Sequence, residues 1–350
     1  MVKAAVIHQP GPPSVLKYED IKERHPLGGS EVRVRHAASG VNFVDCYIRR
    51  GEGGYKPEKY PHILGFEGAG PITGLGEDVS KEDYEVGDHV TYLTREQGAY
   101  SEERNVGTDR CINLSRFYPN TEINGVDDET AAAGLLKGMT VYMLLYHAAL
   151  LSVQVPGEGG PVGRGPGVVV HAAAGGVGSL LTQWAKRLGA HVIVTVGSDE
   201  KAARARENGC DHVIVYTRED VAEGVKQATK GHMADVVYDA VGKATVKASL
   251  ESLHDNGHLV LFGSASGPPD PEDLRQEYLN RRHISVHQAA LFNYIKTREE
   301  YVEFAQAALN ELGSGRVRIP EITRFPLADA AGAHAYLEGR HNKGSVILVP

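Results

Sequence analysis

Up to about residue 130 the apolar positions come in short β-branched runs, VKAAVIH, EVRVRHAASG, GAGPIT and DHVTYL, cut by Gly, Pro and Asp. That pattern predicts short strands and turns, hence a mainly β region. Within it, FVDCYIRR, residues 43–50, predicts a short helix. From Val168 the texture changes. VVVH is a continuous apolar run of buried-strand length, and HVIVTV, DHVIVY, DVVYDAVG, HLVLFG and HISVHQ are five further strand candidates. Helical stretches lie between most of them: LLTQWAKRLGA, EKAARAREN, EDVAEGVKQAT and ATVKASLESLH. Strands alternating with helices predict an α/β fold with a parallel, doubly wound sheet. Two later helices, REEYVEFAQAALNEL and LADAAGAHAYLEG, and a last strand, SVILVP, follow after the alternation has stopped. This tail is therefore assigned back to the first domain.

One segment, Ala131 to Leu151, is mostly apolar. Lys137 and His147 interrupt it, and Asp127, Asp128 and Glu129 precede it as helix-start residues. It predicts a buried core helix, not a membrane span. The chain's 350 residues suit two domains, each large enough to bury a core. With 37 basic and 45 acidic residues the net charge is −8, which argues against non-specific binding to nucleic acid or anionic membranes. Three dispersed cysteines, Cys46, Cys111 and Cys210, form no CxxC pair and suit a reducing compartment. MVKAAVIHQPGPP has no apolar run of signal-peptide length, and SVILVP carries no prenylation or peroxisomal signal. A cytoplasmic location is expected. Glycine changes the picture: 41 residues, about 12% of the chain against a usual ~7%, suggest tight turns and close backbone approaches.

The sharpest local signal is HAAAGGVG, between the run VVV and a helical stretch. The spacing Ala172-x-x-Gly175-x-x-Gly178 is a variant of the dinucleotide fingerprint, with alanine where the first glycine usually stands. Small residues permit the turn and let the backbone approach a pyrophosphate, which the following helix N-terminus attracts. About 20 residues on, an NAD-preferring site places Asp or Glu. Here Gly197, Ser198, Asp199, Glu200 and Lys201 stand there. Gly197 leaves room for a 2′-phosphate and Lys201 offers a cation, while Asp199 and Glu200 oppose it; the balance favours NADPH. The other Gly-rich stretch, Pro156 to Gly167, leads into a strand and lacks Gly-Lys-Ser/Thr, so it predicts a solvated loop.

GVNFVDCYIRRG, ILGFEGAG, GLLKGMTVYMLL, HAAAGGVGSLLTQWAKRLGA, TVGSDEKA and VVYDAVG together resemble the zinc-independent quinone oxidoreductases, zeta-crystallin-like members of the medium-chain dehydrogenase/reductase superfamily. The resemblance runs essentially end to end. It implies a Rossmann domain over residues 135–293, inserted in a mainly β, GroES-like catalytic domain made of residues 1–134 and 294–350, with the active-site cleft between the two. It implies that Asn42, Phe43 and Tyr47 face the nicotinamide and that Thr140 and Met143 lie beside the cleft. Gly176 and Val177 join Gly175 and Gly178 at the pyrophosphate turn. Gly197, Ser198 and Lys201, with Tyr216, form the 2′-phosphate pocket. Val241, Gly263, Ser264 and Ala265 border the nicotinamide ribose, Leu291 and Phe292 line the cleft, and Arg340 makes a C-terminal contact. Where the family often has Arg-Pro, this chain has Gln288 and Ala289.

The zinc-dependent alcohol dehydrogenases of the superfamily carry a Cys ligand near the position of Asn42 and a Gly-His-Glu segment. This chain reads Gly65-Phe66-Glu67 and lacks the four-cysteine cluster, so no metal is expected. A zinc-free site suits an acceptor that takes hydride readily, such as a quinone or an activated enone. In this reading the amide of Asn42 orients cofactor or acceptor, and the Tyr47 hydroxyl donates to the developing oxyanion. Arg50 and Tyr55 are expected at the entrance. A homodimer through the edge of the cofactor sheet is expected from the resemblance. A structural or single-strand RNA-binding role stays open as an alternative, though RNA binding would need a basic face.

Overall fold

The computed structural model describes residues 2–21, 26–52, 56–116, 123–148 and 165–350. The chain packs as two compact units: residues up to Met139 together with Ile295–Pro350, and Thr140–Tyr294.

In the second unit, strands Gly167–Val170, His191–Val196, His212–Val215, Ala234–Asp239, Leu253–Leu261 and Ser285–Gln288 form one parallel sheet. Its spatial order is third, second, first, fourth, fifth, sixth. All six match apolar runs in the sequence. The core is a layer of Val169, Ile193, Val237 and Leu259 from the strands, packed with Val225, Val246 and Leu250 from the helices Val221–Ala228 and Val246–Glu251. The last of these helices stops short of its predicted end. Leu253 pairs with Ala234 and opens the fifth strand, because pairing satisfies its backbone in the sheet. The order reverses between the first strand and the fourth. Loops leaving their carboxyl ends part in opposite directions there, which makes a crevice for a ligand.

The first unit is mainly antiparallel. Glu31–Arg35, Ala38–Val41, Glu67–Leu75, His89–Leu93 and Glu103–Gly107 pair around a core of Val32, Val34, Ile72, Val90, Tyr92 and Val106. The terminal strand Ser345–Val349 pairs antiparallel with Ala38–Val41 and parallel with Ile322–Pro326. The tail thus completes the first sheet. Strands such as Lys17–Ile21 and Glu103–Gly107, which read KYEDI and ERNVG, are missed by apolar pattern because they are mostly polar and only partly covered.

The apolar segment after residue 130 is the helix Asp128–Met143, continued by a π-helical turn, Leu144–Ala148. Asp127 Oδ1 accepts from Thr130 N–H at 2.7 Å, a cap of the expected kind. Among the described residues no helix is long and apolar enough to cross a membrane. The Pro156–Gly167 stretch lies outside the described residues up to Arg164; Gly167 itself begins the first parallel strand, which corrects the loop's end.

Candidate cofactor and reduction sites

In the second unit the first parallel strand ends at Val170 and the helix Gly176–Arg187 begins six residues on. Ala172 takes a left-handed conformation, φ 54°, and its carbonyl accepts from Gly175 N–H at 2.9 Å. Alanine thus occupies a backbone state usually given to glycine. A Cβ at Gly178 would lie 2.4 Å from the Ala172 oxygen and 2.8 Å from the Ala173 Cα, so only glycine fits the close turn. No side chain caps the helix at Gly175. Its first N–H groups, including those of Gly176 and Val177, point out of the helix end as an anion site requires.

The second strand ends beside the 197–201 segment. Ser198 caps the helix Asp199–Glu207, its Oγ accepting from Lys201 N–H at 3.3 Å. A Cβ at Gly197 would lie 2.6 Å from the Tyr216 hydroxyl, so Tyr216 lies over the space that an acidic side chain would fill. Asp199 and Glu200, which oppose an anion by sequence, are both tied to arginines. Arg218 donates to Asp199 at 2.9 and 2.7 Å, and Arg204 to Glu200 at 2.7 Å. Arg218 holds the Asp199 carboxyl below its ordinary range. The segment therefore offers a hydroxyl, a phenol and a half-buried lysine with the acidic charge already matched. Arg218 was not singled out from the sequence, since a lone arginine in a loop carries no pattern.

Val241, Gly263, Ser264 and Ala265 follow the fourth and fifth strands. Asp239 Oδ1 accepts from Val241 N–H at 2.7 Å, and Ala265 N–H donates to the Ala240 carbonyl at 3.2 Å. Leu291, buried, and Phe292, half-buried, follow the sixth strand in a short helical turn. Because the strands are parallel, these residues and the glycine turn share one end of the sheet. Thr140 and Met143 are buried on the helix Asp128–Met143.

In the first unit Asn42 and Asp45 form a reciprocal capping box at the start of the helix Phe43–Arg50, with Asn42 N–H donating to Asp45 Oδ2 at 2.8 Å. Asn42 Nδ2 donates to Glu67 Oε1 at 2.8 Å, and Leu136 N–H donates to Glu67 Oε2 at 2.7 Å. Lys137 Nζ lies 3.8 Å from Glu67 Oε1. Asn42, Asp45, Glu67 and Lys137 are all buried. Burial pushes the Glu67 carboxyl up and the Lys137 ammonium down, and each opposes the other's shift by its charge. Burial pushes Asp45 up to about 7, against hydrogen bonds from Asn42 and Tyr100.

A second chain of contacts supports this corner. Arg49 NH1 lies 3.2 Å from His334 Nδ1. Arginine only donates, so Nδ1 accepts and the ring proton sits on Nε2. Nε2–H then donates to the Tyr100 oxygen at 3.0 Å, and Tyr100 O–H donates to Asp45 Oδ2 at 3.2 Å. Arg49 itself is held by Glu338 at 3.0 and 2.8 Å. Tyr47, on the same helix, is 9% exposed, packs edge-on against Phe43, and carries the Arg50 guanidinium 5.5 Å from its ring centre. Tyr55 lies outside the described residues. Arg340 follows the helix Ala330–Glu338 with a left-handed φ of 58°, on a different element from the other candidates. Glu67, Lys137, Tyr100 and His334 were not read as site residues. The available signal was Lys137 itself: a lysine inside an apolar helix needs a buried carboxylate. Among the described residues no three His, Cys, Asp or Glu side chains are grouped as a metal ion would need.

Family models for an alcohol dehydrogenase GroES-like domain and a zinc-binding dehydrogenase match residues 28–154 and 176–308. The chain is 39% identical to a quinone oxidoreductase of Pseudomonas aeruginosa over 97% of both chains. It is 36% identical to a 2-haloacrylate reductase of a Burkholderia species, over 100% of this chain and 99% of that one. The structure of Escherichia coli quinone oxidoreductase complexed with NADPH superimposes with a TM-score of 0.87 at 35% identity, covering 99% of this chain and 100% of that one.

Proposed function

The chain belongs to the quinone oxidoreductase family of the medium-chain dehydrogenase/reductase superfamily, and on that premise we propose that it is an NADPH-dependent reductase passing hydride to a quinone without a metal. The observation that carries the cofactor choice is the Gly197 corner, where Ser198, Lys201 and Tyr216 gather and the Tyr216 hydroxyl stands 2.6 Å from where a Cβ at position 197 would lie. The residues fit the cofactor: the Gly178 contact leaves no space for a Cβ, and the helix end beside it has no side-chain cap. When bound, NADPH supplies hydride from its nicotinamide. Gly176, Val177 and Gly178 would hold the pyrophosphate by backbone N–H groups, while Gly175, whose own N–H donates to the Ala172 carbonyl, shapes the turn. Lys201, Ser198 and Tyr216 hold the 2′-phosphate. Val241, Gly263, Ser264 and Ala265 border the ribose, and Phe43, Thr140, Met143, Leu291 and Phe292 serve the nicotinamide half, with Arg340 as a further cofactor contact. Asn42 orients the acceptor, and Tyr47 donates its hydroxyl proton toward the developing oxyanion. The absence of a metal from the reading rests on Phe66, which stands where zinc-dependent relatives carry histidine.

Reduction of an activated enone is a second reading, favoured by the end-to-end match to a 2-haloacrylate reductase. Steady-state oxidation of NADPH against quinones and enones tests both. Quinone turnover exceeding enone turnover supports the first; the reverse order selects the second; oxidation of neither rejects both. Dialysis against a strong chelator should leave the rate unchanged, and activity restored only by zinc would overturn the metal-free reading. A homodimer through a cofactor-sheet edge belongs to the same reading: the strands His212–Val215 and Ser285–Gln288 are the outer ones of that sheet. Light scattering at micromolar concentration should give twice the 37.7 kDa chain mass. A cytoplasmic location, which suits the three free cysteines, also belongs to this reading.

A further inference from the structure

An amide side chain can be built in two orientations, and its neighbours decide which is real. Around Asn42 the neighbours leave one. Glu67 is fully buried, and both of its carboxylate oxygens are engaged as acceptors, Oε1 by Asn42 Nδ2 and Oε2 by Leu136 N–H. Lys137 sits 3.8 Å from Oε1 as the buried counter-charge. An ionised carboxylate has no proton to give, so only the nitrogen end of the amide can face it. The oxygen end falls to the helix side, where Asn42 forms the capping box with Asp45. Of the amide's polar capacity this leaves the second N–H of Nδ2.

We propose that Glu67, kept ionised by Lys137, is a positioning residue that locks Asn42 as a hydrogen-bond donor, so that Asn42 meets the acceptor's carbonyl oxygen with an N–H. The inference rests on the reductase reading and deepens it. Hydride arriving at the acceptor leaves an electron pair, and hence negative charge, on that oxygen. A fixed N–H aimed there stabilises the charge as it develops, without reorganisation. The proton that completes the hydroquinone comes from solvent or Tyr47 and is not supplied by Asn42. Lys137 and Glu67 touch neither reacting atom in this scheme; they act through Asn42.

The test is a polarity swap. Asn42→Asp places two carboxylates face to face. Glu67→Gln lets the Asn42 amide turn over and leaves Lys137 without its counter-charge. The double variant Asn42→Asp/Glu67→Gln keeps the cluster's charge and restores a hydrogen bond with its direction reversed. The introduced glutamine amide now donates to the introduced aspartate, so the side chain at position 42 has no N–H left to offer. Three quantities are read on each purified chain: Tm, NADPH affinity by fluorescence, and kcat with 1,4-naphthoquinone. The expected result is that both single variants lose Tm and kcat. The double variant recovers Tm and binds NADPH within about threefold, yet stays on the order of 100-fold down in kcat, the cost of removing one oxyanion donor. Recovery of kcat along with Tm would show that the pair is only a structural cap, and unchanged kcat in folded Glu67→Gln would overturn the proposal equally. If the double variant does not fold, Asn42→Ser, which keeps a helix cap but is too short to reach Glu67, decides. Loss of kcat with NADPH affinity kept supports the proposal, and wild-type kcat overturns it. A wild-type chain that oxidises no NADPH with any quinone or enone would instead reject the reductase reading, so the two failures are distinguishable.

Discussion

The corner around Glu67 and the corner around Gly197 are both charged, but they are built on opposite principles. At Glu67 the side chains are fully or nearly buried, and Glu67 is balanced by Lys137 and Arg49 by Glu338, while burial holds Asp45 toward its neutral form. At Gly197 the ion pairs lie in solvent, as with Arg218 and Asp199, both more than half exposed. Exposed pairs contribute little to stability, about 0–1 kcal/mol, whereas removing one partner of a buried pair leaves an uncompensated charge. The first corner is therefore coupled to folding, and the second is free to serve affinity.

Replacing Lys137 sharpens this difference most. Lys137→Met keeps roughly the volume and removes the charge, leaving Glu67 buried without its counter-ion. Urea unfolding should show a loss of about 3–5 kcal/mol. A loss near zero would mean that the Glu67 proton, not Lys137, balances the site.

Acid should act on the buried groups first. His36 and His334 are pushed down to about 4 and about 3, chiefly by burial, so both are neutral in the folded chain. The unfolded chain takes up these protons below about 6.5, so stability is full above that pH and falls as pH drops toward the folded values. Each histidine contributes a loss of about 1.4 kcal/mol per pH unit in that window. His171, buried in the second unit and also lowered, acts in the same direction. Asp45 acts oppositely: raised to about 7, it stabilises the fold at low pH and loses that contribution as pH rises through 7. His36 and His334 together outweigh it. Unfolding free energies measured from pH 7 to 5 should decline, and a flat profile would show that these histidines are charged in the folded state.

At the exposed corner the effect moves from stability to affinity. Lys201→Ala should raise KM for NADPH about ten- to a hundredfold, matching roughly 1.5–3 kcal/mol for a charge-assisted hydrogen bond, with kcat and NADH kinetics little changed. Tyr216→Phe should do the same to a smaller extent. Equal weakening of NADPH and NADH would remove Lys201 from the phosphate pocket. The smallest effect belongs to the turn between the strand and the helix. Ala172→Gly relieves a left-handed alanine but adds freedom to the unfolded chain, so the gain should be at most about 1 kcal/mol in Tm-derived stability. A loss would show that the alanine methyl packs usefully.

By itself the sequence determined the second unit almost completely. Six apolar runs separated by helices have few ways to bury themselves, and the glycine turn is local chemistry written in consecutive residues. It also marked Gly197 and Lys201 as candidates by their distance from the glycine turn, and Asn42 by the resemblance of GVNFVDCYIRRG to the family. The tertiary structure decided the rest. Lys17–Ile21 and Glu103–Gly107 are strands because their neighbours supply hydrogen-bond partners, a cause absent from their own composition. The support of Asn42 is assembled from Glu67 on a strand and Lys137 on a helix, 25 and 95 positions away along the chain. Whether a lone lysine in an apolar helix is buried, and which carboxylate it meets, depends on distances between elements. Those distances are set by packing, and no spacing along the chain records them.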